Sequence, residues 1–371
     1  MTDASRPDWT GRLTRVRASL AGPGLDAVVV STPANLHYLA NFTGSAGLLL
    51  VARDGGAFVI DGRYEAGVRQ MLLADAMPAL DVEPVARRYD LKLGEVVAKR
   101  GYARVGFEAA HVTVATLAAW QRAAAGVEWV PTYDVVEGPR RVKDAQEISI
   151  FRRGGIAMAA VAAQLPRIVR AGRTEIEVAS GIEAALSEAG FSRVSFPTIV
   201  ASGPNSALPH ARPTTRRLGP GDLVVLDFGG VLDGYCLDLT RMAAVEPVAP
   251  QAHALYAAVR LAHGAALSAV HPGIETSAVD AAARTVLEGR GLGEAFLHAT
   301  GHGLGLDIHE APRLARADAG ASERVEPGMV FTIEPGAYVT GVGGVRLEDD
   351  VLVTTDGAEV LTDAPRDLLV V

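Results

Sequence analysis

The amino-acid sequence predicts two domains, an α/β domain followed by an α+β domain that contains an internal duplication. Its 371 residues allow two or three domains of roughly 100–200 residues each. Short apolar runs alternate with helical periodicity in the first part of the chain, and the element order of the second part occurs twice. A polar, proline-containing stretch at 134–143 separates the two parts, so the predicted domains are residues 1–137 and 138–371.

The first domain is predicted from apolar runs bounded by Gly, Pro and Asp, which is typical of strands, and from segments with helical spacing. The strands are expected at 25–31, 47–52 and 57–60, and the helices at 10–21, 62–75 and 111–125. Strands that alternate with helices indicate an α/β arrangement.

The second domain is predicted to place helices before strands, in two rounds. A long helix is expected at 145–170, although Gly154, Gly155 and Pro166 weaken its continuity. The next helix begins at Thr174, where T-E-I-E is a capping-box pattern. The remaining helices are expected at 250–270 and 276–290, and the strands at 194–201, 223–228, 235–245, 296–301, 329–334 and 345–354.

The two rounds also share a sequence pattern. Pro220–Gly229 (PGDLVVLDFG) and Pro327–Gly336 (PGMVFTIEPG) each place a Pro-Gly turn before an apolar strand that ends on a carboxylate. Pro-Gly turns before strands are common, so the similarity has an ordinary explanation. The alternative is a duplication whose half-domains face each other across a shared site.

Composition argues against several classes of protein. The formal net charge is −8, the pI is about 5.6 and no basic stripe is present, which disfavours nucleic acid as a partner. Cys236 is the only cysteine, so no disulfide can form within one chain, as expected in a reducing compartment. No apolar run has the ~18–20 residues of a membrane span, and the polar residues 1–10 lack the apolar region of a signal peptide. We therefore expect a cytoplasmic protein that does not bind membranes.

Two aspartates of the first round are candidate metal ligands. Asp227 ends the apolar run LVVLD, where an unpaired charge is costly. Asp233-Gly234 is a hairpin signal, and a two-residue loop there places Asp227 opposite Thr240. Asp238 then lies two residues along the second strand and on the same face. Taken alone, either aspartate is better explained as part of a solvated hairpin.

The second round supplies further candidates. Glu334 lies where the repeat places Asp227. Glu348 follows in the next strand, as Asp238 does in the first round. His302 adds an imidazole in a glycine-rich segment, where the backbone can approach closely. An oxygen-rich set with one nitrogen suits Mn²⁺, Fe²⁺, Co²⁺ or Zn²⁺, and two such ions ~3.5–4 Å apart would balance four close carboxylates.

This constellation resembles the M24 metallopeptidases, the pita-bread family, and within it the Xaa-Pro peptidases, aminopeptidase P and prolidase. Thr32–Gly47 and Asp61–Tyr64 resemble the N-terminal domain of that group, and the chain from Glu147 onward resembles its catalytic domain. The implied fold is a creatinase/prolidase-type α/β N-terminal domain and a pita-bread (creatinase/aminopeptidase-like) α+β catalytic domain with a pseudo-twofold duplication.

The resemblance implies a role for each motif residue. The implied metal ligands are Asp227, Asp238, His302 of GHGxGxxxHE, Glu334 of EPGAY and Glu348 of VRLED. The implied catalytic residues are Glu334, His210 of LPHARP and His309, and the implied substrate-binding residues are His298, Arg346 and Tyr338.

The implied activity is removal of the N-terminal residue from short peptides with proline at the second position. The implied cofactors are two divalent ions, Mn²⁺ in first place with Co²⁺, Zn²⁺ or Fe²⁺ as alternatives, and a hydroxide between them attacks the carbonyl before proline. Glu334 is expected to pass the water proton to the leaving nitrogen, and His309 or His210 to donate to the developing oxyanion. A homodimer is also implied.

Alternatives from other classes stay open. Creatinase-like enzymes share this fold without needing a metal, and a metal-dependent hydrolase or lyase of a small molecule would retain all five ligands. A non-enzymatic interaction module is disfavoured, because such members of the fold have lost ligands. The sequence does not decide between dipeptides and longer peptides, nor does it identify the metal, the residue preferred before proline or the subunit interface.

Overall fold

The computed structural model describes residues 6–317 and 322–371. They fall into two compact units, one formed by Pro7–Arg140 and one that contains Arg141–Val371. Among the described residues, no helix combines the length and the apolar character needed to cross a bilayer.

The first unit alternates strands with helices, as predicted. Its strands are β1 (Ala27–Val30), β2 (Leu48–Ala52), β3 (Gly55–Asp61), β4 (Asp81–Val85), β5 (Arg104–Glu108) and β6 (Glu128–Thr132). Its helices are α1 (Trp9–Ser19), α2 (Pro33–Ala40), α3 (Glu65–Leu73), α4 (Tyr89–Lys99), α5 (Val114–Ala123) and α6 (Glu137–Arg140). The strands form one sheet in the order β4-β3-β2-β1-β5-β6, in which β1 pairs antiparallel with β2 and parallel with β5.

Three strands (β4, β5 and β6) and three helices (α2, α4 and α6) of this unit were not predicted. β4 and β6 are the edge strands, and each contains a proline, Pro84 and Pro131, so neither has the continuous apolar run that identifies a buried strand. The predicted boundary at 137/138 falls within α6. Because Arg140 is buried and donates to Asn35 Oδ1 at 2.7 Å, α6 stays with the first unit.

The second unit contains the two predicted rounds of helices and strands. Its α-helices are α7 (Ala145–Ala162), α8 (Leu165–Ile168), α9 (Glu175–Glu188), α10 (Pro250–Ala269) and α11 (Thr276–Glu288), with 3₁₀ turns at Gly203–Ala207 and Gly293–Ala295. Its strands are β7 (Arg193–Val194), β8 (Ile199–Ser202), β9 (Leu223–Phe228), β10 (Gly230–Leu232), β11 (Tyr235–Cys236), β12 (Leu239–Ala244), β13 (Gly301–Gly303), β14 (Glu310–Leu314), β15 (Val330–Ile333), β16 (Gly336–Val339), β17 (Gly343–Arg346), β18 (Asp349–Val353), β19 (Ala358–Val360) and β20 (Leu369–Val370).

The strands of each round form an antiparallel core pair, β9 with β12 and β15 with β18. These pairs lie in two sheets, β20-β12-β9-β8 and β14-β13-β15-β18-β19, and two smaller sheets, β11-β10-β7 and β16-β17, complete the unit. Helices α10 and α11 cover both core pairs: Val259 and Val279 share one apolar core with Val225 of β9 and Phe331 of β15. The predicted α+β class is therefore confirmed.

The predicted long helix at 145–170 is two helices. It ends after Ala162, and α8 restarts it with Pro166 in its first turn, because proline cannot continue an interior turn. Gly155 has a packing role within α7. A Cβ atom there would lie 2.1 Å from the carbonyl oxygen of Leu361, so only glycine allows this close approach.

Candidate metal centre and active site

One cavity of about 730 Å³ in the second unit collects most of the residues singled out from the sequence. Nine of the ten line it: His210, Asp227, Asp238, His298, His302, His309, Glu334, Arg346 and Glu348. The tenth, Tyr338, is buried and bonds to two of them, His298 and Arg346. The structure thus brings together residues that come from both rounds of the duplicated unit.

The first-round hairpin has the predicted register. Asp227 of β9 pairs with Thr240 of β12, and Asp233 and Gly234 form the loop with positive φ angles of 49° and 90°. The second strand is not continuous, since Asp238 lies in the break between β11 and β12. There its backbone N–H donates to Asp350 Oδ2 at 3.0 Å, instead of to a strand neighbour.

The second-round pair has a different register. Ile333 pairs with Asp349 and Gly336 pairs with Arg346, so Glu334 and Glu348 lie opposite each other between these two pairs. In the first round the residue opposite Asp227 is Thr240, not Asp238. The repeat therefore predicts the order of the carboxylates but not their pairing.

Thr240 joins the two rounds at the site. Its Oγ1 donates to Glu348 Oε2 at 2.6 Å, and its carbonyl accepts from the Glu348 N–H at 3.3 Å. These contacts place the second-round carboxylate against the first-round strand. From the sequence, Thr240 marks only the register of the hairpin, and its predicted position opposite Asp227 is the signal that could have identified it.

His302 of β13 points its Nε2 atom at the carboxylates. This atom lies 3.5 Å from Glu334 Oε1 and 4.0 Å from Asp238 Oδ2. Candidate ligand atoms of Asp238, His302 and Glu348 all lie within 4.8 Å of one another. Gly301, directly before His302, allows the backbone to approach Thr332 closely, because a Cβ atom there would lie 1.9 Å from the carbonyl oxygen of Thr332.

The electrostatics of the cluster fit divalent cations. Burial and mutual repulsion between negative charges raise the pKa of Asp238 and of Glu348 well above the usual range, and burial raises the pKa of Glu334. The Oδ1 atoms of Asp227 and Asp238 are buried without a hydrogen-bond partner among the described residues. Cations would neutralise the charge and occupy these free oxygens, so the donor set fits a divalent-metal site.

The surroundings of His302 favour the form that a metal requires. Burial lowers its pKa, which favours the neutral imidazole. Its Nδ1 atom lies 3.1 Å from the carbonyl oxygen of Gly303, and this contact orients the ring so that Nε2 faces the cluster.

Arg346, Tyr338 and His298 form a chain of hydrogen bonds along one wall. The buried Arg346 guanidinium makes a short ion pair with Asp227 and donates from Nη1 to the Tyr338 hydroxyl at 2.6 Å. That hydroxyl lies 3.0 Å from His298 Nε2. Burial raises the pKa of Tyr338 to about 12, so it remains a neutral phenol at pH 7. Arg346 therefore orients Asp227, and Tyr338 links that arginine to His298.

His210 and His309 face the open side of the cavity. The His309 ring lies 4.3 Å from the His302 ring and is almost perpendicular to it, at 81°. Burial lowers the pKa of His309, with the neighbouring His302 as a smaller cause. His210 lies on an exposed loop that follows the 3₁₀ turn Gly203–Ala207.

Glu175 anchors that loop and was not identified from the sequence. It is fully buried at the start of α9, where Oε1 accepts from the backbone and hydroxyl of Ser202, both at 2.7 Å. Its Oε2 accepts from the backbone and hydroxyl of Thr214 at 2.9 and 2.6 Å. One carboxylate thus fixes both ends of the segment that carries His210.

Lys143 and Glu310 form another contact that sequence reasoning missed. Lys143 Nζ donates to Glu310 Oε1 at 2.7 Å, and the two side chains are only 1% and 10% exposed. Glu310 lines the cavity directly after His309. The pair therefore ties the start of the second unit to the segment that presents His309.

Buried carboxylates and an imidazole that suit divalent cations, held in a duplicated α+β unit, are typical of metallopeptidases. Residues 149–355 match the profile of metallopeptidase family M24, and residues 12–142 match the creatinase/prolidase N-terminal domain. The chain belongs to metallopeptidase family M24.

Relatives of known structure extend over both units. The chain is 34% identical to the Xaa-Pro dipeptidase from Bacillus anthracis, with a TM-score of 0.93 over 98% of this chain and 100% of that one. It is 29% identical to the X-Pro aminopeptidase from Thermotoga maritima, with a TM-score of 0.85 over 94% and 98%. The Xaa-Pro dipeptidase from Pyrococcus furiosus is 33% identical over 361 residues, which are 96% of this chain and 99% of that protein. The predicted pita-bread architecture is thereby confirmed.

Proposed function

We propose that this chain is a dinuclear-metal peptidase that removes the N-terminal residue from short peptides with proline at the second position. The observation that carries the proposal is the cluster of Asp227, Asp238, His302, Glu334 and Glu348 in one cavity that also contains three further histidines. The specificity for proline is supported by relatives in three organisms, which are two Xaa-Pro dipeptidases and an X-Pro aminopeptidase.

The five clustered residues would hold the ions. Two divalent ions, Mn²⁺ in first place, would supply an activated water and polarise the carbonyl of the residue before proline. Asp238 and Glu348 would serve only as ligands, because they are 5% and 2% exposed, whereas the Glu334 side chain is 17% exposed.

Glu334 is the proposed proton carrier. Burial raises the pKa of this carboxyl, which brings it closer to the working range of a general base. It would take a proton from water and deliver it to the proline nitrogen as the peptide bond breaks. His309 and His210, at the open side of the cavity, would donate hydrogen bonds to the oxyanion that develops on the carbonyl oxygen.

The ends of the substrate are oriented by charge. The carboxylate cluster favours the free α-ammonium group of the peptide, which would restrict cleavage to the N-terminal residue. The proline ring would lie against His298, whose position Tyr338 and Arg346 maintain through hydrogen bonds.

The test is hydrolysis of Ala-Pro, Ala-Pro-Ala and Ala-Ala-Ala by the Mn²⁺-loaded protein, with a chelator control. We expect chelator-sensitive release of alanine from the two proline peptides and none from Ala-Ala-Ala. Folded, metal-loaded protein that cleaves none of them would contradict the proposal and favour a small-molecule substrate.

Glu175→Gln is expected to lower kcat/KM about tenfold, chiefly through KM, because the amide presents a donor to groups that are themselves donors. The loop that carries His210 would then lose its anchor, while metal affinity, measured by calorimetry, would stay unchanged. The matched control is Glu177→Gln. Glu177 lies on the same helix but is exposed. Among the residues that the structure describes, it accepts hydrogen bonds only from the Thr174 cap, at 2.7 and 3.1 Å. Equal kinetics in the two variants would show that Glu175 does not position the loop.

A further inference from the structure

Three consecutive acidic residues of the second round, Glu348, Asp349 and Asp350, each contact the first-round segment 238–241. All three are buried, at 2%, 0% and 0% exposed. Glu348 is a proposed metal ligand, whereas Asp349 and Asp350 have no role in the proposed reaction. A buried carboxylate is costly unless it is paired or hydrogen-bonded, so the partners of these residues indicate what the segment does.

The dipeptide Thr240-Arg241 holds Glu348 by its side chain and by its backbone. The Thr240 hydroxyl donates to Glu348 Oε2 at 2.6 Å, and the Thr240 carbonyl accepts from the Glu348 N–H at 3.3 Å. Arg241 Nη1 donates to the Glu348 carbonyl at 2.6 Å. The carboxylate, the N–H and the carbonyl of this candidate ligand are thus all bonded to the first round.

The direction of the Thr240 hydroxyl is determined by its neighbours. Its oxygen accepts from Arg346 Nε at 3.2 Å, and an arginine side chain can only donate. The single hydroxyl hydrogen is therefore left for the Glu348 carboxylate, which can only accept when it is ionised. Thr240 is completely buried, so this bond has no solvent-exposed side.

Arg241 is itself fixed by several contacts. Its Nη2 atom pairs with Asp349 Oδ1 at 2.8 Å, and Asp349 Oδ2 accepts from Arg366 Nε at 2.5 Å. Arg241 also donates to the carbonyls of residues 364 and 365, both at 2.8 Å. The Asp349 carboxylate therefore holds the guanidinium that binds the Glu348 carbonyl.

The second round fixes a first-round ligand in return. Asp350 Oδ2 accepts from the Asp238 backbone N–H at 3.0 Å. Each round thus holds a candidate ligand of the other round, Glu348 in one direction and Asp238 in the other. Neighbouring carboxylates repel each other when no cation is bound, and these bonds oppose that repulsion and keep the ligands in place.

We propose that Thr240 is a positioning residue whose hydroxyl holds the Glu348 carboxylate where it binds divalent cations, and so sets the metal affinity of the site. Arg241 and Asp349 support the same ligand from its backbone side. This inference rests on the proposed function, because it takes Glu348 as a metal ligand. Loss of a hydrogen-bond partner of a metal ligand typically lowers metal affinity or activity about 10–100-fold.

The test is calorimetric titration of the metal-free protein with Mn²⁺ in the wild type, Thr240→Val and Thr240→Ser. Valine has no hydroxyl, whereas serine keeps the hydroxyl and loses only a methyl group. We expect the Mn²⁺ affinity to fall about tenfold in Thr240→Val and to stay within about twofold of the wild type in Thr240→Ser. In Thr240→Val, kcat for Ala-Pro-Ala at saturating Mn²⁺ should fall while KM stays unchanged, since Thr240 is not among the described residues that line the cavity.

Thr132→Val is the matched control. Thr132 is buried in β6 of the first unit, and its hydroxyl donates to the Phe107 carbonyl at 2.8 Å. This variant should lose stability but keep the Mn²⁺ affinity of the wild type. Thr240→Ala removes the hydroxyl without placing a methyl group against the carboxylate, and it should show the same loss of affinity as Thr240→Val.

Wild-type Mn²⁺ affinity in Thr240→Val or Thr240→Ala would overturn the inference. An equal loss of affinity in Thr240→Ser or in Thr132→Val would also overturn it, because the Thr240 hydroxyl would then not be the cause. Wild-type protein whose Mn²⁺ binding depends on Thr240 as expected, but which cleaves no proline peptide, would support the inference and contradict the proposed function. Wild-type protein that binds no Mn²⁺ would contradict both.

Discussion

Glu334→Gln is expected to lower kcat/KM on Xaa-Pro peptides by about 10³-fold while the protein stays folded. The side chain follows β15 and places Oε1 3.5 Å from His302 Nε2, so it belongs to both the candidate metal cluster and the proposed proton path. Glutamine keeps the size of the side chain but can neither accept the water proton nor supply a negative ligand. Peptide kinetics and metal titration by calorimetry should therefore both change.

The matched control for this substitution is Glu326→Gln. Glu326 lies in the exposed turn before the same strand, and its side chain does not line the cavity. Its removal should leave turnover and metal binding unaltered. Metal-free Glu334→Gln should melt at or above the temperature of the metal-free wild type, because burial of the acid raises its pKa and costs stability at pH 7. Turnover at the wild-type rate in this variant would remove Glu334 from the reaction.

Local signals in the sequence accounted for much of the first-round hairpin. The Asp233-Gly234 dipeptide favours a two-residue loop with positive φ at both positions, and that loop sets the pairing of Asp227 with Thr240. Register follows from turn geometry over a few residues. For this reason the common face of Asp227 and Asp238 could be inferred without any tertiary information.

The joining of the two rounds could not be inferred in the same way. Thr240 and Glu348 are 108 positions apart, and Asp227 and Arg346 are 119 apart, yet both pairs are in direct contact. No local pattern encodes such contacts. The repeat predicts that carboxylates from two facing half-domains share one site, but it does not predict which side chains touch across them.

The local sequence pattern also could not show which of two neighbouring glutamates is buried. The T-E-I-E segment predicts a capping box, and Glu177 does cap α9. Glu175, two positions earlier, is fully buried and binds Ser202 and Thr214 instead. Which glutamate faces the protein depends on where the helix packs, which only the tertiary structure reveals.

Removal of divalent ions is expected to abolish cleavage and to lower the melting temperature by roughly 5–10 °C relative to protein with metal at about 100 times its Kd. The reason is that Asp227, Asp238, Glu334 and Glu348 are brought together by the fold, and cations that bind only the folded state stabilise it. Differential scanning calorimetry with and without Mn²⁺ measures this effect independently of activity.

The increase in melting temperature caused by Mn²⁺ should grow as the pH rises from about 5 to about 8. The pKa values of Asp238 and Glu348 are raised in the metal-free folded state, first by burial and then by neighbouring carboxylates. Groups with a raised folded-state pKa contribute stability below their unfolded pKa, and this contribution is lost as the pH rises through the folded value. Metal-free protein should therefore lose stability with rising pH, whereas bound cations meet less competition from protons.

Asp238→Asn should reduce both the increase in melting temperature caused by Mn²⁺ and the pH dependence of this increase, since the substitution removes one buried ligand. Asp356→Asn, in the exposed turn after β18, is the matched control and should retain both. A wild-type melting temperature that is the same with and without Mn²⁺ at every pH would show that the buried carboxylates do not bind this metal. They would then have to be held protonated by the fold, and a catalytic role for the cluster would lose its physical basis.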